Sequence, residues 1–165
     1  MKRIIISVFI SAAFMACKKD DEVKPEIPEV KNPTVSCGER KICFDIEDSS
    51  YTSNVGMYHL DDTSYFAKYE SNGKQLSIDW FTQDPMVGSF PAGNVKMKGK
   101  SRIYWFPDAS STYWMSDSGE VNITKHEGNK VSATFNGRLQ KLVNGSPNGE
   151  VLFVKNGVFT DGSYF

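Results

Sequence analysis

The stretch GEVNITKHEGNKVSATFNGRLQ, residues 119–140, decides the fold. Val121 and Ile123 alternate with Asn122 and Thr124. After Glu127-Gly128-Asn129 the alternation resumes, with Val131, Ala133, Phe135, Gly137 and Leu139 on one face. Ser132, Thr134, Asn136, Arg138 and Gln140 take the other. A strict period of two puts each set on its own side of a pleated strand. A glycine between two such runs is the sign of a hairpin. The stretch therefore predicts two half-buried antiparallel strands.

The same grammar extends in both directions. Towards the N-terminus, Ile42, Phe44 and Ile46 alternate with Cys43, Asp45 and Glu47, and Ser53–Leu60 and Ser64–Glu70 read as further strands. Asn72-Gly73 is a hairpin turn signal leading into residues 75–81, where Leu76, Ile78 and Trp80 share a face. Residues 84–99 hold two prolines and three glycines and predict a loop wrapping one end of the sheet. Ser101–Phe106 and the shorter Thr112–Met115 read as strands apolar on both faces, and Asp117-Ser118-Gly119 as a turn. Residues 144–149 turn the chain again before Val151–Val154 and Val158-Phe159. NGKQLSID, SGEVNIT, GNKVSATF and NGEVLFV echo one another, as successive hairpins require. No helical period is sustained after residue 16. The expectation is an all-β domain over residues 34–165, an antiparallel β-sandwich or a partly closed barrel, and the pattern leaves that choice open.

The first 33 residues are of a different kind. Lys2 and Arg3 precede an apolar run from Ile4 to Met15, then small Ala16 and Cys17. A basic flank, a short apolar run and a small residue describe a secretory signal peptide over residues 1–16. The run is too short to span a bilayer, which takes about 20 apolar residues. Phe14-Met15-Ala16-Cys17 resembles a bacterial lipobox, which implies a lipid on Cys17; the rival reading is cleavage after Ala13. Lys18-Lys19-Asp20-Asp21-Glu22 is similar to the acidic export signal of Bacteroidetes surface lipoproteins. That likeness implies an outer-membrane anchor with display at the cell surface, the periplasmic face being the alternative. Pro25, Pro28 and Pro33 then make residues 17–33 a lipidated N-terminus and extended spacer, since proline holds the chain in polyproline II.

Charge and cysteine content narrow the functional classes. The chain carries 19 basic and 20 acidic residues, and losing Lys2 and Arg3 takes the net charge to about −3. No basic excess is present to attract nucleic acid, so attachment to a membrane rests on the lipid. With Cys17 modified, Cys37 and Cys43 are left as a pair outside the cytosol, where disulfides persist. No zinc-ligand spacing occurs around them.

Tyr113…Gly119-Glu120-Val121-Asn122-Ile123-Thr124, Lys130-Val131-Ser132-Ala133-Thr134-Phe135 and Gly149-Glu150-Val151…Asn156-Gly157-Val158-Phe159 together resemble the tail of uncharacterised Bacteroidetes lipoproteins of the DUF6252 type. The likeness covers the C-terminal third and implies an all-β fold and an envelope location. It brings no activity with it.

Catalytic residues are not legible: no nucleophile elbow, no histidine-cysteine arrangement and no phosphate loop stands out. His59 and His126 are the two histidines. In His59-Leu60-Asp61-Asp62 a strand puts His59 and Asp61 on one face with no third ligand beside them, and His126 falls in a turn, so no metal or other cofactor is expected. The one binding candidate is a pair of aromatic strands carrying Tyr104, Trp105, Tyr113 and Trp114. Adjacent rings on a strand face opposite ways. One set can fill a core while the other is left for a sugar face or a protein partner; a core packed on both faces is the plainer reading. Two functions are thus in play, a lipid-anchored, non-catalytic binding module for a glycan or another envelope protein, and a surface-anchored glycan hydrolase built on paired carboxylates.

Overall fold

The computed structural model describes residues 37–60, 63–82 and 86–164; the signal peptide, Cys17 and the spacer lie outside them. Ten strands follow in chain order: β1 Lys41–Ile46, β2 Ser49–Asn54, β3 Gly56–Leu60, β4 Ser64–Ser71, β5 Lys74–Trp80, β6 Gly88–Pro91, β7 Ser101–Phe106, β8 Thr112–Glu127, β9 Lys130–Val143 and β10 Ser146–Ser163. They form one antiparallel sheet in the order β2-β1-β10-β9-β8-β7-β5-β4-β3, with β6 beside β8. The sheet curls into a partly closed barrel. Its two edge strands, β2 and β3, are consecutive in the chain and separated by Val55 alone. One nearly continuous segment, 49–60, thus pairs with β1 along its first half and with β4 along its second. Val55 N–H donates to the Arg40 carbonyl at the join.

The inward set is the one the alternation picks out. Ile42, Phe44, Leu76, Ile78, Trp80, Ile103, Val121, Ile123, Val131, Phe135, Leu139 and Phe159 are all buried in one cluster. Aromatic rings fill the middle. Phe44 lies 5.1 Å from Tyr51 and 5.0 Å from Tyr69, and Trp80 sits between Tyr65 and Phe159 at 5.7 and 6.0 Å. Offset and edge-on pairs of this kind add stability beyond the area they bury. Gly157 makes room for them, since a Cβ there would overlap the Phe135 ring.

Four segments differ from the sequence reading. Residues 53–60, read as one strand, are the end of β2 and the whole of β3, parted at Val55. Asp117-Ser118-Gly119 is not a turn but a bulge inside β8, where the register to β9 shifts between Ser116 and Ser118. Asp117 is held by an ion pair with Arg138 on β9. Gly119, at φ 135°, passes so close to the Asn136 carbonyl that no side chain would fit. Bulges of this sort bend a long strand without ending it. Residues 144–149 turn only at Asn144-Gly145, and β10 resumes at Ser146. Within the 84–99 stretch, Gly88–Pro91 forms a short strand against the second half of β8, and its Phe90 is buried in the core.

Two serines repair the ladder where β7 and β8 part. Ser116 Oγ accepts the Ile103 N–H at 3.0 Å and donates to the Gly93 carbonyl at 3.0 Å. Ser101 Oγ donates to the Phe90 carbonyl at 2.7 Å. Buried backbone groups need such partners.

The barrel has two distinct ends. Cys37 lies at one, next to the end of β10, where Thr160 Oγ1 donates to its carbonyl and Arg40 N–H bonds the Thr160 carbonyl. A disulfide joins Cys37 to Cys43, with Cα atoms 5.9 Å apart, and pins the chain's entry to β1. The β8–β9 turn at Gly128-Asn129 is at this same end. The turns at Asn72-Gly73, residues 107–111 and Asn144-Gly145 mark the opposite end.

Candidate functional site

Strand β7 reads S-R-I-Y-W-F, and the pleat sends Ile103 and Trp105 inward and Arg102, Tyr104 and Phe106 outward. Trp105 is 3% exposed and packs 5.9 Å from Phe44 and 5.1 Å from Tyr51. Trp114 lies directly across from it in register. It is half-buried against the core, with Lys141 Nζ 5.4 Å from its ring. The four rings singled out in the sequence are therefore divided: Trp105 and Trp114 face the interior, Tyr104 and Tyr113 the exterior. Phe106, which sequence reasoning left out of the platform, belongs with the second group.

Outside the barrel, Tyr104, Phe106 and Tyr113 form a half-buried aromatic patch. Phe106 and Tyr113 stack at 5.4 Å with 25° between their planes, and Tyr104 lies 6.3 Å from each of them. The row continues through Arg102, whose guanidinium carbon is 5.1 Å from the Tyr104 ring and 4.9 Å from the Phe81 ring. A guanidinium between two ring faces is a favourable cation–π arrangement. Arg102 Nη2 also donates to Asp79 Oδ2 at 3.2 Å, and Ser77 donates to Asp79 Oδ1 at 3.0 Å. Burial still raises the Asp79 pKa against the lowering from Ser77 and Arg102. Burial also pushes the Tyr104 phenol up to about 12, with Arg102 acting the other way. Tyr104 is thus a neutral hydroxyl at any physiological pH, able to donate and accept hydrogen bonds.

Next to Phe106 the surface sinks into a cavity of about 370 Å³. Its walls include Glu70, Lys74, Gln75, Phe106, Asp108 and Ser110. Glu70 is ion-paired to Lys68 at 2.7 Å. The Asp108 carboxylate is held below its ordinary range by hydrogen bonds from Ser110. The patch and the cavity together offer flat apolar faces beside donors and acceptors of both charges. Both lie towards the end of the barrel opposite Cys37.

The two histidines meet at the Cys37 end. His59 stacks on Tyr65 at 4.3 Å, and the His126 ring lies 5.5 Å from the same tyrosine. Tyr164 donates its hydroxyl proton to the Gly128 carbonyl at 3.1 Å, so it accepts from His126 Nε2–H at 2.9 Å. His126 is consequently part of β8 and packed, not in an open turn. Burial, then the His59 charge, lowers its pKa. Among the described residues no group of three or more His, Cys, Asp or Glu side chains could hold a metal ion; Asp61 and Asp62 lie outside those residues.

No family model matches the chain, and no curated protein or solved structure is found similar to it.

Proposed function

We propose that this chain is a lipid-anchored, cell-surface β module that binds a glycan on its outer aromatic face, without catalysis. One observation carries the reading. The barrel interior is already filled by its own rings, yet Tyr104, Phe106 and Tyr113 are grouped on the outside, where the core does not use them. Sugar rings present apolar C–H faces and equatorial hydroxyls, which suit flat aromatic surfaces beside polar groups such as Gln75 and Glu70. The tether through Cys17 would leave this face pointing away from the membrane. The likeness of β8 to β10 to the DUF6252-type lipoproteins supports the envelope setting.

The hydrolase alternative has one feature in its favour: Glu70 and Asp108 line the same cavity. Glycoside hydrolysis needs one carboxyl kept protonated near neutral pH. Asp108 is shifted the opposite way. The pair suits hydrogen bonding to sugar hydroxyls better than acid catalysis.

Affinity electrophoresis through gels cast with a panel of soluble polysaccharides tests the reading. The parent should be retarded by at least one glycan, and Tyr104→Ala and Tyr113→Ala should each weaken retardation about tenfold with little change in melting. Equal mobility of parent and variants in every gel would remove the aromatic face as the site. Release of reducing sugar by the parent, lost in Glu70→Gln, would replace binding with hydrolysis.

A further inference from the structure

A second exposed surface lies at the other end of the barrel. The segment 93–100 reads GNVKMKGK, with three lysines and no carboxylate in a chain whose net charge is −1. Its apolar side chains are turned to solvent: Val95 is 54% and Met97 56% exposed. Met86 and Val87, on the chain leading into β6, are 50% and 60% exposed. Large apolar side chains exposed together at one end call for an explanation. Met97 separates two shallow hollows of about 270 and 220 Å³, walled by Phe81 and Thr82 on one side and Pro91 and Ala92 on the other.

The position of this loop in the fold is fixed by backbone bonds. Gly99 N–H donates to the Phe81 carbonyl at 2.8 Å, and Phe81 N–H to the Lys100 carbonyl at 2.9 Å. Phe81 directly follows Trp80, which stacks on Phe159 near the end of β10. The end of β10 is also where Cys37 is held, through Thr160. The basic-apolar loop and the point where the N-terminal tether enters the domain therefore occupy the same end of the barrel. The aromatic patch occupies the other.

We propose that the 93–100 loop docks on an anionic lipid surface, with Val95 and Met97 entering the headgroup layer and Lys96, Lys98 and Lys100 meeting the negative charge. Apolar tips framed by lysines gain from both burial and electrostatic attraction at such a surface. A loop beside the tether is brought to the bilayer by any anchor upstream of Cys37, so weak docking suffices to orient the domain. The orientation would hold the aromatic face outward. Only this orienting role depends on the anchored reading above; the loop's affinity for lipid is measured without an anchor.

The test uses the mature-length chain, residues 17–165, carrying Cys17→Ser and made without lipid. It is sedimented with vesicles of phosphatidylcholine, with and without roughly a third phosphatidylglycerol. The parent should bind the anionic vesicles and release in high salt. Lys96→Gln, Lys98→Gln and Lys100→Gln should weaken binding about fivefold each. The pair Val95→Asp with Met97→Asp should abolish it while the thermal melt is kept. Failure of the parent to bind, equal binding to neutral vesicles, or unchanged binding in both variant sets would overturn the proposal. So would concentration-dependent self-association that the Asp pair abolishes, because the loop would then be covered by a second copy. Loss of lipid labelling at Cys17 would leave this result untouched.

Discussion

Tyr104 and Trp105 are neighbours in the chain and opposites in the structure. Trp105 is enclosed by Phe44, Tyr51 and Tyr69, whereas Tyr104 lies outside beside Phe106, Tyr113 and Arg102. Trp105→Ala should cost about 3–5 kcal/mol, because a large cavity opens among packed rings. Tyr104→Ala should cost about 1 kcal/mol, as expected for a half-exposed side chain. Urea unfolding of both variants measures the contrast; equal costs would mean that the outer rings belong to a second core. At His126 the sign of the pH effect follows from its lowered pKa. The unfolded chain takes up the proton first, at about pH 6.5, while the folded ring resists it. The contribution is present above that pH and is lost as pH falls through the folded value. Stability from urea titrations should therefore drop from pH 7 towards 5 more steeply in the parent than in His126→Gln; parallel profiles would contradict the burial of the ring. At this scale the pleat was legible, for Ile103 and Trp105 divide from Tyr104 and Phe106 by alternation alone. Which face is the core was not, because both are apolar and the choice depends on Phe44 and Tyr51, more than fifty residues earlier. The approach of His59 and His126 to Tyr65 was hidden for the same reason: only the curl of the sheet brings them together.

At the level of elements, β8 shows where local signals mislead. Asp117-Ser118-Gly119 has turn composition, yet a turn there would break the pairing of β8 with β9. The long-range partners win: Arg138 takes the Asp117 carboxylate, and Gly119 supplies the bend. True turns were legible where a φ-positive pair stands between alternating runs, as at Asn72-Gly73. β6 was missed because four residues that begin with glycine and end with proline give too short a period to detect. The Cys37–Cys43 disulfide acts on an element as well, fixing the segment that leads into β1. Closing so small a loop stabilises by about 2 kcal/mol in the chain-entropy picture. Cys37→Ser with Cys43→Ser should lower the unfolding free energy by that amount, read from denaturant melts of the non-reduced parent beside the variant. An unchanged midpoint, or quantitative alkylation of both thiols in the parent without reductant, would contradict it.

Across the whole molecule the barrel is polar along its axis: Cys37 and a basic-apolar loop lie at one end, an aromatic face and a cavity towards the other. The all-β class was legible from period-two runs alone. The barrel's closure was not, because it depends on segment 49–60 serving as both edges, and Ser49–Asn54 carries almost no apolar alternation. The proposed anchor leads to its own expectation. Cys17→Ser should remove palmitate labelling and outer-membrane fractionation, and alanines at Asp20, Asp21 and Glu22 should keep the lipid but end protease shaving of intact cells. Labelling of the Cys17→Ser chain would refute the anchor, and equal shaving would refute the export signal. Whether the outer rings are the binding surface is read from aromatic carbon-proton NMR during titration with a glycan that retards the parent. The ring resonances of Tyr104, Phe106 and Tyr113 should move together and saturate, while those of Trp105 and Trp80 stay in place. Shifts confined to other parts of the surface, with these three rings unmoved at saturation, would contradict it.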